Sequence, residues 1–94
     1  MKCRGFIMEN LKDIRSEIDS IDDTLAQTLQ RRFEIVDRVA KVKREKGLPI
    51  FDAKREGEII DRVCAMVGSG CEKEVREVFS ALFAASRARQ LEKA

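Results

Sequence analysis

Two cations stand where the apolar pattern of this sequence calls for aliphatic side chains, and they are its first candidates for chemistry. Arg32 takes an a position in a heptad pattern of apolar residues. Lys43 follows eleven residues later, which is about 20° around a helix that turns 100° per residue. Both would face a helical interior, where an unpaired charge is costly. The pattern predicts either salt bridges to carboxylates on other helices or a bound anionic ligand.

A third cation, Arg15, precedes Arg32 by seventeen residues. On one helix that separation is roughly 25 Å along the axis and about 100° around it. One helix cannot bring both side chains to one small ligand. A shared site would therefore need Arg15 from a second subunit, and otherwise Arg15 is a solvated or interface charge.

Polar residues also follow apolar stripes in the second half of the chain. Asp52, Arg55 and Glu56 open one apolar segment, while Ser86 and Gln90, spaced i,i+4, take the positions that the last apolar stripe would reach next. Structural roles would also explain them: an N-cap, a surface pair, an acid that complements the helix dipole, and a hydrogen-bonded pair at the end of a bundle.

Together these residues describe a pocket for a dianion. It offers cations for carboxylates, and neutral or acidic groups for hydroxyl and ether oxygens. The sequence has no His, Tyr or Trp, so histidine bases, Ser-His-Asp and Cys-His nucleophiles, and histidine metal sites are excluded. Such a pocket suits binding, or a unimolecular reaction that needs only restraint and charge stabilisation. No metal and no cofactor is expected.

One very long helix is predicted to position the first three cations. No Gly or Pro occurs between Met8 and Lys46, which favours a helix of about 36 residues and roughly 54 Å. A compact chain of this length has a radius of gyration of only about 12 Å. The helix would overhang its own monomer, so its apolar stripe needs a partner, most simply a second copy on a two-fold axis. The stripe comprises Leu11, Ile14, Ile18, Ile21, Leu25, Ile35, Val39 and Val42.

Two shorter helices are predicted to follow. Gly47 and Pro49 end the first helix, Asp52 caps the second, and a Gly-Ser-Gly turn at 68–70 stops it. The third begins near 71–73. The expected core stripe of the second helix is Ile59, Ile60, Val63, Met66 and Val67, and that of the third is Val75, Val78, Phe79, Leu82 and Phe83.

Composition bounds the class of protein. Ninety-four residues, 38% charged and 44% hydrophobic, suit one soluble domain, and a net charge of +2 disfavours general nucleic-acid binding. Residues 1–8 are expected to be a loose tail whose apolar run is too short for a signal peptide or a membrane span, which leaves 9–94 as the domain. An odd number of cysteines, at 3, 64 and 71 and without CxxC spacing, favours a reducing cytoplasm.

The ordered set of motifs resembles the all-helical, type II class of chorismate mutases. The motifs are Ile14-Arg15, Ile18-Asp19-Ser20-Ile21-Asp22, Arg31-Arg32, Lys43, Pro49, Asp52-x-x-Arg55-Glu56 and Ser86-x-x-x-Gln90. The resemblance implies an all-α fold, in which three-helix chains intertwine as a homodimer and each long first helix contributes to both active sites. It also implies conversion of chorismate to prephenate by a Claisen rearrangement, in the biosynthesis of phenylalanine and tyrosine.

The resemblance also implies a role for each candidate residue. Arg15 of the partner subunit and Arg32 would bind substrate carboxylates. Lys43 would reach a carboxylate and the ether oxygen, and Gln90 would donate to that oxygen as negative charge builds on it. Arg32, Lys43 and Gln90 are thus the expected catalytic residues.

The remaining candidates would surround the substrate ring. Glu56 and the backbone at Asp52 would hold the ring hydroxyl, and Arg55 and Ser86 would complete the wall.

Three alternatives stay open at this point. An isochorismate-pyruvate lyase shares the fold and the cationic pocket, but that branch is expected to lack the DxxRE element that is present here. A non-catalytic regulatory subunit of the shikimate pathway would keep the fold without turnover. A helical dimerisation module would use its inner charges only to set register.

Overall fold

The computed structural model describes residues 9–93 and builds them from three α-helices without a strand. Helix α1 spans Leu11–Lys46, α2 spans Ala53–Met66 and α3 spans Glu72–Lys93. The all-α class and the long first helix are confirmed. The tail predicted for residues 1–8 lies outside the described residues.

The described residues divide between two compact units, with the boundary between Arg32 and Phe33. The described part of the first unit is the N-terminal portion of α1 with its cap. Asn10 caps the helix, since its Oδ1 accepts from the Lys12 backbone N–H at 2.8 Å. The predicted apolar stripe is largely solvent-exposed here, at 50–67% for Leu11, Ile18, Ile21 and Leu25. Such a stripe needs a covering surface.

A glycine ends α1 in the second unit. Gly47 has a φ of 66°, and the Leu48 N–H reaches back to the Lys43 carbonyl at 2.8 Å. This is a Schellman cap, which needs the left-handed conformation that glycine adopts freely. Pro49 then prevents the helix from resuming. The predicted end of the first helix is confirmed.

Asp52 caps α2 as predicted. Its side chain accepts from the Arg55 backbone N–H at 3.0 Å, and its carbonyl accepts from the Glu56 N–H at 3.1 Å. The other end differs slightly from the expectation, because α2 stops at Met66 and Val67 is already extended. Met66 is 74% exposed, so its predicted place in the core was wrong. As the last residue of the helix, it lies beyond the face that packs.

The core of the second unit lies between α2 and α3. Ile59, Val63 and Phe83 are buried together, and Phe79 meets Phe83 edge-on with ring centroids 6.0 Å apart. Val78 is 61% exposed, so its predicted core position was wrong. The buried side of α3 instead repeats at i,i+4 and ends in polar side chains.

In the second unit, the side of α1 that packs against the core is not the side that carries the heptad stripe. Val36 and Ala40 are buried, whereas Ile35, Val39 and Val42 are 40–46% exposed. Neighbouring residues differ by about 100° around a helix. The stripe predicted from the sequence is therefore not the face that packs within the chain.

Ion pairs and hydrogen bonds join α1 to α3 within the second unit. Arg89 donates to both carboxylate oxygens of Asp37, at 2.7 and 2.9 Å, and its guanidinium lies over the Phe33 ring. The hydrogen bond from Arg89 holds the pKa of Asp37 below its ordinary value, and the same bond raises the pKa of Arg89. Arg44 also donates to the Lys93 carbonyl.

Across residues 9–93, none of the helices combines the length and the apolar character that crossing a membrane requires.

Candidate active site

The turn after α1 positions Lys43. Its Nζ donates to the carbonyl of Ile50 at 2.7 Å, seven residues later, and both residues are partly buried. The Schellman cap and Pro49 reverse the chain so that this carbonyl meets the side chain. An ammonium group has three donors, so the contact leaves it capacity for a ligand.

Lys43 also lines an open cavity of about 450 Å³ in the second unit. Its volume is within the range of small-molecule sites. The other lining residues are Ile35, Arg38, Val39, Val42 and Leu48.

Helix α3 contributes two buried polar side chains. Ser86 and Gln90 are 6% and 7% exposed, and Ser86 Oγ donates to the Leu82 carbonyl at 2.8 Å. Gln90 Oε1 has no hydrogen-bond partner among the described residues. A buried acceptor left in this state costs roughly 1–3 kcal/mol. The interior therefore holds an amide with spare hydrogen-bonding capacity.

Glu56 lies in the first turn of α2 and is held by a residue that the sequence reading missed. Arg87 Nη1 contacts Glu56 Oε2 at 2.5 Å, and the Arg87 guanidinium lies over the Phe51 ring, 5.2 Å from its centroid. Arg87 could have been found because it immediately follows Ser86 and precedes Gln90 by three residues, on the adjoining side of α3.

Two predicted residues of this region engage other groups. The Asp52 side chain is exposed and occupied as the N-cap, which leaves its backbone as the part to consider. The Arg55 guanidinium is 3.9 Å from Glu58, in a pair whose side chains are 61% and 55% exposed. This is the surface pair that the structural interpretation of Arg55 expected, and its role toward a ligand stays a prediction.

The two remaining cations belong to the first unit. Arg15 is exposed, while Arg32 is partly buried and its neighbour Arg31 is exposed. Arg32, at an a position of the heptad pattern, is the one of the two that was predicted to face the interior. The structure groups Lys43, Glu56, Ser86 and Gln90 in the second unit, and their relation to Arg15 and Arg32 stays a prediction.

Metal ligands do not cluster in the described residues, since no three His, Cys, Asp or Glu side chains there could hold a metal ion together.

Comparison with known proteins decides the family. Residues 14–91 match the family described as chorismate mutase type II. The chain belongs to this family. Every candidate site residue, from Arg15 to Gln90, lies within the matched range.

Two curated relatives are similar in sequence to parts of this chorismate mutase type II chain. It is 55% identical over 49 residues to the T-protein of Haemophilus influenzae, covering 52% of this chain and 13% of that protein. It is 37% identical over 57 residues to the chorismate mutase of Methanocaldococcus jannaschii, covering 61% of this chain and 58% of that protein. The chain thus spans less than two thirds of these curated relatives.

A solved structure shares the fold. A conserved hypothetical protein from Pyrococcus furiosus superimposes with a TM-score of 0.72 at 38% identity, covering 85% of this chain and 93% of that one.

Proposed function

We propose that this chain converts chorismate to prephenate in the biosynthesis of aromatic amino acids. The single observation that carries the proposal is the burial of the Gln90 amide, a polar side chain that is only 7% exposed on the packed side of α3. Family membership adds support. Burying a polar side chain at this position is costly for stability alone, and a role in ligand binding accounts for its burial.

The reaction needs little from the protein beyond placement and charge. In the rearrangement the ether C–O bond breaks while a C–C bond forms between the enolpyruvyl methylene carbon and the ring. No proton, electron or outside group enters. The protein's task is to hold the side chain over the ring and to stabilise the negative charge that develops on the ether oxygen.

Lys43 and Gln90 are the donors that we assign to this oxygen. The Lys43 ammonium is restrained by the Ile50 carbonyl, so it reaches the transition state with less entropy to lose. The Gln90 amide is preorganised by burial. Arg32 is assigned to a substrate carboxylate, since a guanidinium matches a carboxylate with two parallel hydrogen bonds.

The ring hydroxyl is assigned to Glu56 and to the backbone at Asp52. Glu56 is partly buried in the first turn of α2, and Asp52 precedes this helix. Ser86, buried on α3, and Arg55 complete the proposed wall.

A homodimer completes the proposed site with Arg15 of the partner subunit. The apolar stripe of α1 supports this assembly, because its residues Leu11 and Ile21 are 58% and 67% exposed. Apolar residues at this spacing are what a helix presents to a partner helix. The proposed location is the cytoplasm, based on the odd cysteine number.

The experiment is incubation of the purified protein with chorismate, without metals or cofactors. Loss of the chorismate ultraviolet absorbance and acid conversion of prephenate to phenylpyruvate are followed in parallel, and matched tubes contain isochorismate. Saturable prephenate formation is the expected result. Release of pyruvate from isochorismate alone would assign the lyase reaction, and no turnover of either compound would assign a binding or regulatory role.

Arg32→Ala with Arg31→Ala as its neighbour control separates catalysis from structure. We expect Arg32→Ala to abolish turnover in a dimer that stays folded by circular dichroism and sedimentation, whereas Arg31→Ala retains activity. A dimerisation module would instead lose its dimer in Arg32→Ala.

A further inference from the structure

Glu56 forms an ion pair with Arg87, a residue that has no role in the proposed function. The Arg87 and Glu56 side chains are 34% and 24% exposed, so the pair is partly shielded from water. Arg87 also lies over the Phe51 ring. It therefore joins α3 both to the first turn of α2 and to the connection before α2.

A paired carboxylate offers a ligand something different from a free one. A carboxylate has two oxygens that each accept hydrogen bonds, and Arg87 donates to Oε2 of Glu56. Oε1 can then accept from a ligand. The pair as a whole is neutral, so Oε1 acts as a hydrogen-bond acceptor without the attraction for a cation that a lone carboxylate has.

We propose that Arg87 is a positioning residue that sets which ring substituent this site accepts. It holds Glu56 for a neutral hydroxyl donor, and its positive charge disfavours an ammonium group at the same ring position. The inference rests on the proposed function, because it takes the ring hydroxyl as the partner of Glu56. The substrate class is then a dianionic enolpyruvyl ether that carries a ring hydroxyl rather than an amine.

The test compares chorismate with 4-amino-4-deoxychorismate, whose ring amine replaces the hydroxyl. Arg87→Gln removes the charge and keeps a donor, while Arg87→Lys restores a charge. Arg76→Gln is the matched control, since Arg76 lies on the same helix and pairs with Glu72 at 3.4 Å in an exposed position. The readout is the ratio of kcat/KM for the two compounds.

We expect Arg87→Gln to shift this ratio by about tenfold toward the amino compound, mainly through KM. Arg87→Lys should hold the ratio near that of the wild type, and Arg76→Gln should leave both substrates unchanged. Equal losses on both substrates in Arg87→Gln, or an unchanged ratio, would overturn the proposal, because a merely structural pair has no preference between them.

Calorimetric Kd values for both compounds separate this inference from the proposed function. A wild type that binds but does not rearrange chorismate contradicts the proposed function, and a Kd ratio that still shifts only in Arg87→Gln supports the role of Arg87. A wild type that rearranges chorismate with an unshifted ratio overturns the role alone. A wild type that binds neither compound overturns both.

Discussion

The Lys43 ammonium donates to the backbone carbonyl of Ile50 at 2.7 Å, across the turn that Gly47 makes possible. The partner is a carbonyl dipole and not a carboxylate, so the contact restrains the side chain without cancelling its charge. A fixed cation of this kind acts most strongly on an anion in a site that excludes water.

Lys43→Gln is expected to lower kcat/KM for chorismate by about 10²- to 10³-fold, because it removes one charged donor to the ether oxygen. Lys41→Gln, an exposed lysine two residues earlier on α1, is the matched control and should retain activity. Steady-state kinetics and circular dichroism are measured on both. Wild-type kinetics in Lys43→Gln would remove Lys43 from the proposed site.

Arg15→Ala and Lys43→Gln should complement each other if the site is shared between subunits. In a heterodimer of the two inactive chains, one of the two sites would carry neither substitution, so about half of the wild-type activity should return. The chains are co-expressed with different tags, and heterodimers are isolated before assay. Heterodimers without activity would contradict a role for Arg15 across the interface.

A second pair checks the geometry of the same experiment. Lys43→Gln mixed with Gln90→Ala should stay inactive, because both residues belong to the same half of the proposed site.

Gln90→Glu should confine activity to acid conditions. A carboxylic acid donates to the ether oxygen only while it is protonated, so the rate falls as pH rises through its pKa. The ordinary value for Glu is about 4.3, and burial in place of the amide would raise it. The wild-type amide does not titrate, and its rate should stay level from mildly acidic to neutral pH. A wild-type rate that collapses over this range would count against Gln90 as the donor.

Asp37→Asn should remove stability that the wild type has near neutral pH and loses in acid. The Arg89 hydrogen bond lowers the pKa of Asp37 in the folded chain, so the carboxylate binds fewer protons folded than unfolded. Its contribution is full above the unfolded pKa of about 3.9 and is lost as pH falls through the lower folded value. Urea unfolding of the wild type and of Asp37→Asn at pH 6 and pH 3 measures this contribution to the free energy of unfolding. Asp61→Asn, an exposed acid of α2, is the control. If the wild type and Asp37→Asn differ in free energy of unfolding by the same amount at both pH values, the Asp37 carboxylate is not the source of this pH dependence.

The parts of the site that the sequence predicted are those set by neighbours along the chain. The end of α1 at Gly47, the cap at Asp52 and the burial of Ser86 and Gln90 all follow from spacing and local hydrogen bonds. Val78 was wrongly placed in the core because the prediction used spacing alone. Helix α3 carries apolar residues on adjacent sides, and spacing does not say which side packs.

Pairings between distant residues could not be predicted in this way. Glu56 and Arg87 are 31 positions apart, and Asp37 and Arg89 are 52 apart. In a chain that is 38% charged, many oppositely charged pairs are consistent with the same helices. The relative placement of the helices selects among them.

The amino-acid sequence by itself determined three helices, their ends and the polar residues along them, because helix periodicity and capping depend on atoms only a few residues apart. Tertiary structure decided that Val36 and Ala40 of α1 pack within the chain, that Arg55 turns to the surface, and that Arg87 holds Glu56. Those outcomes depend on packing and on long side chains that reach across helices, which no local pattern encodes.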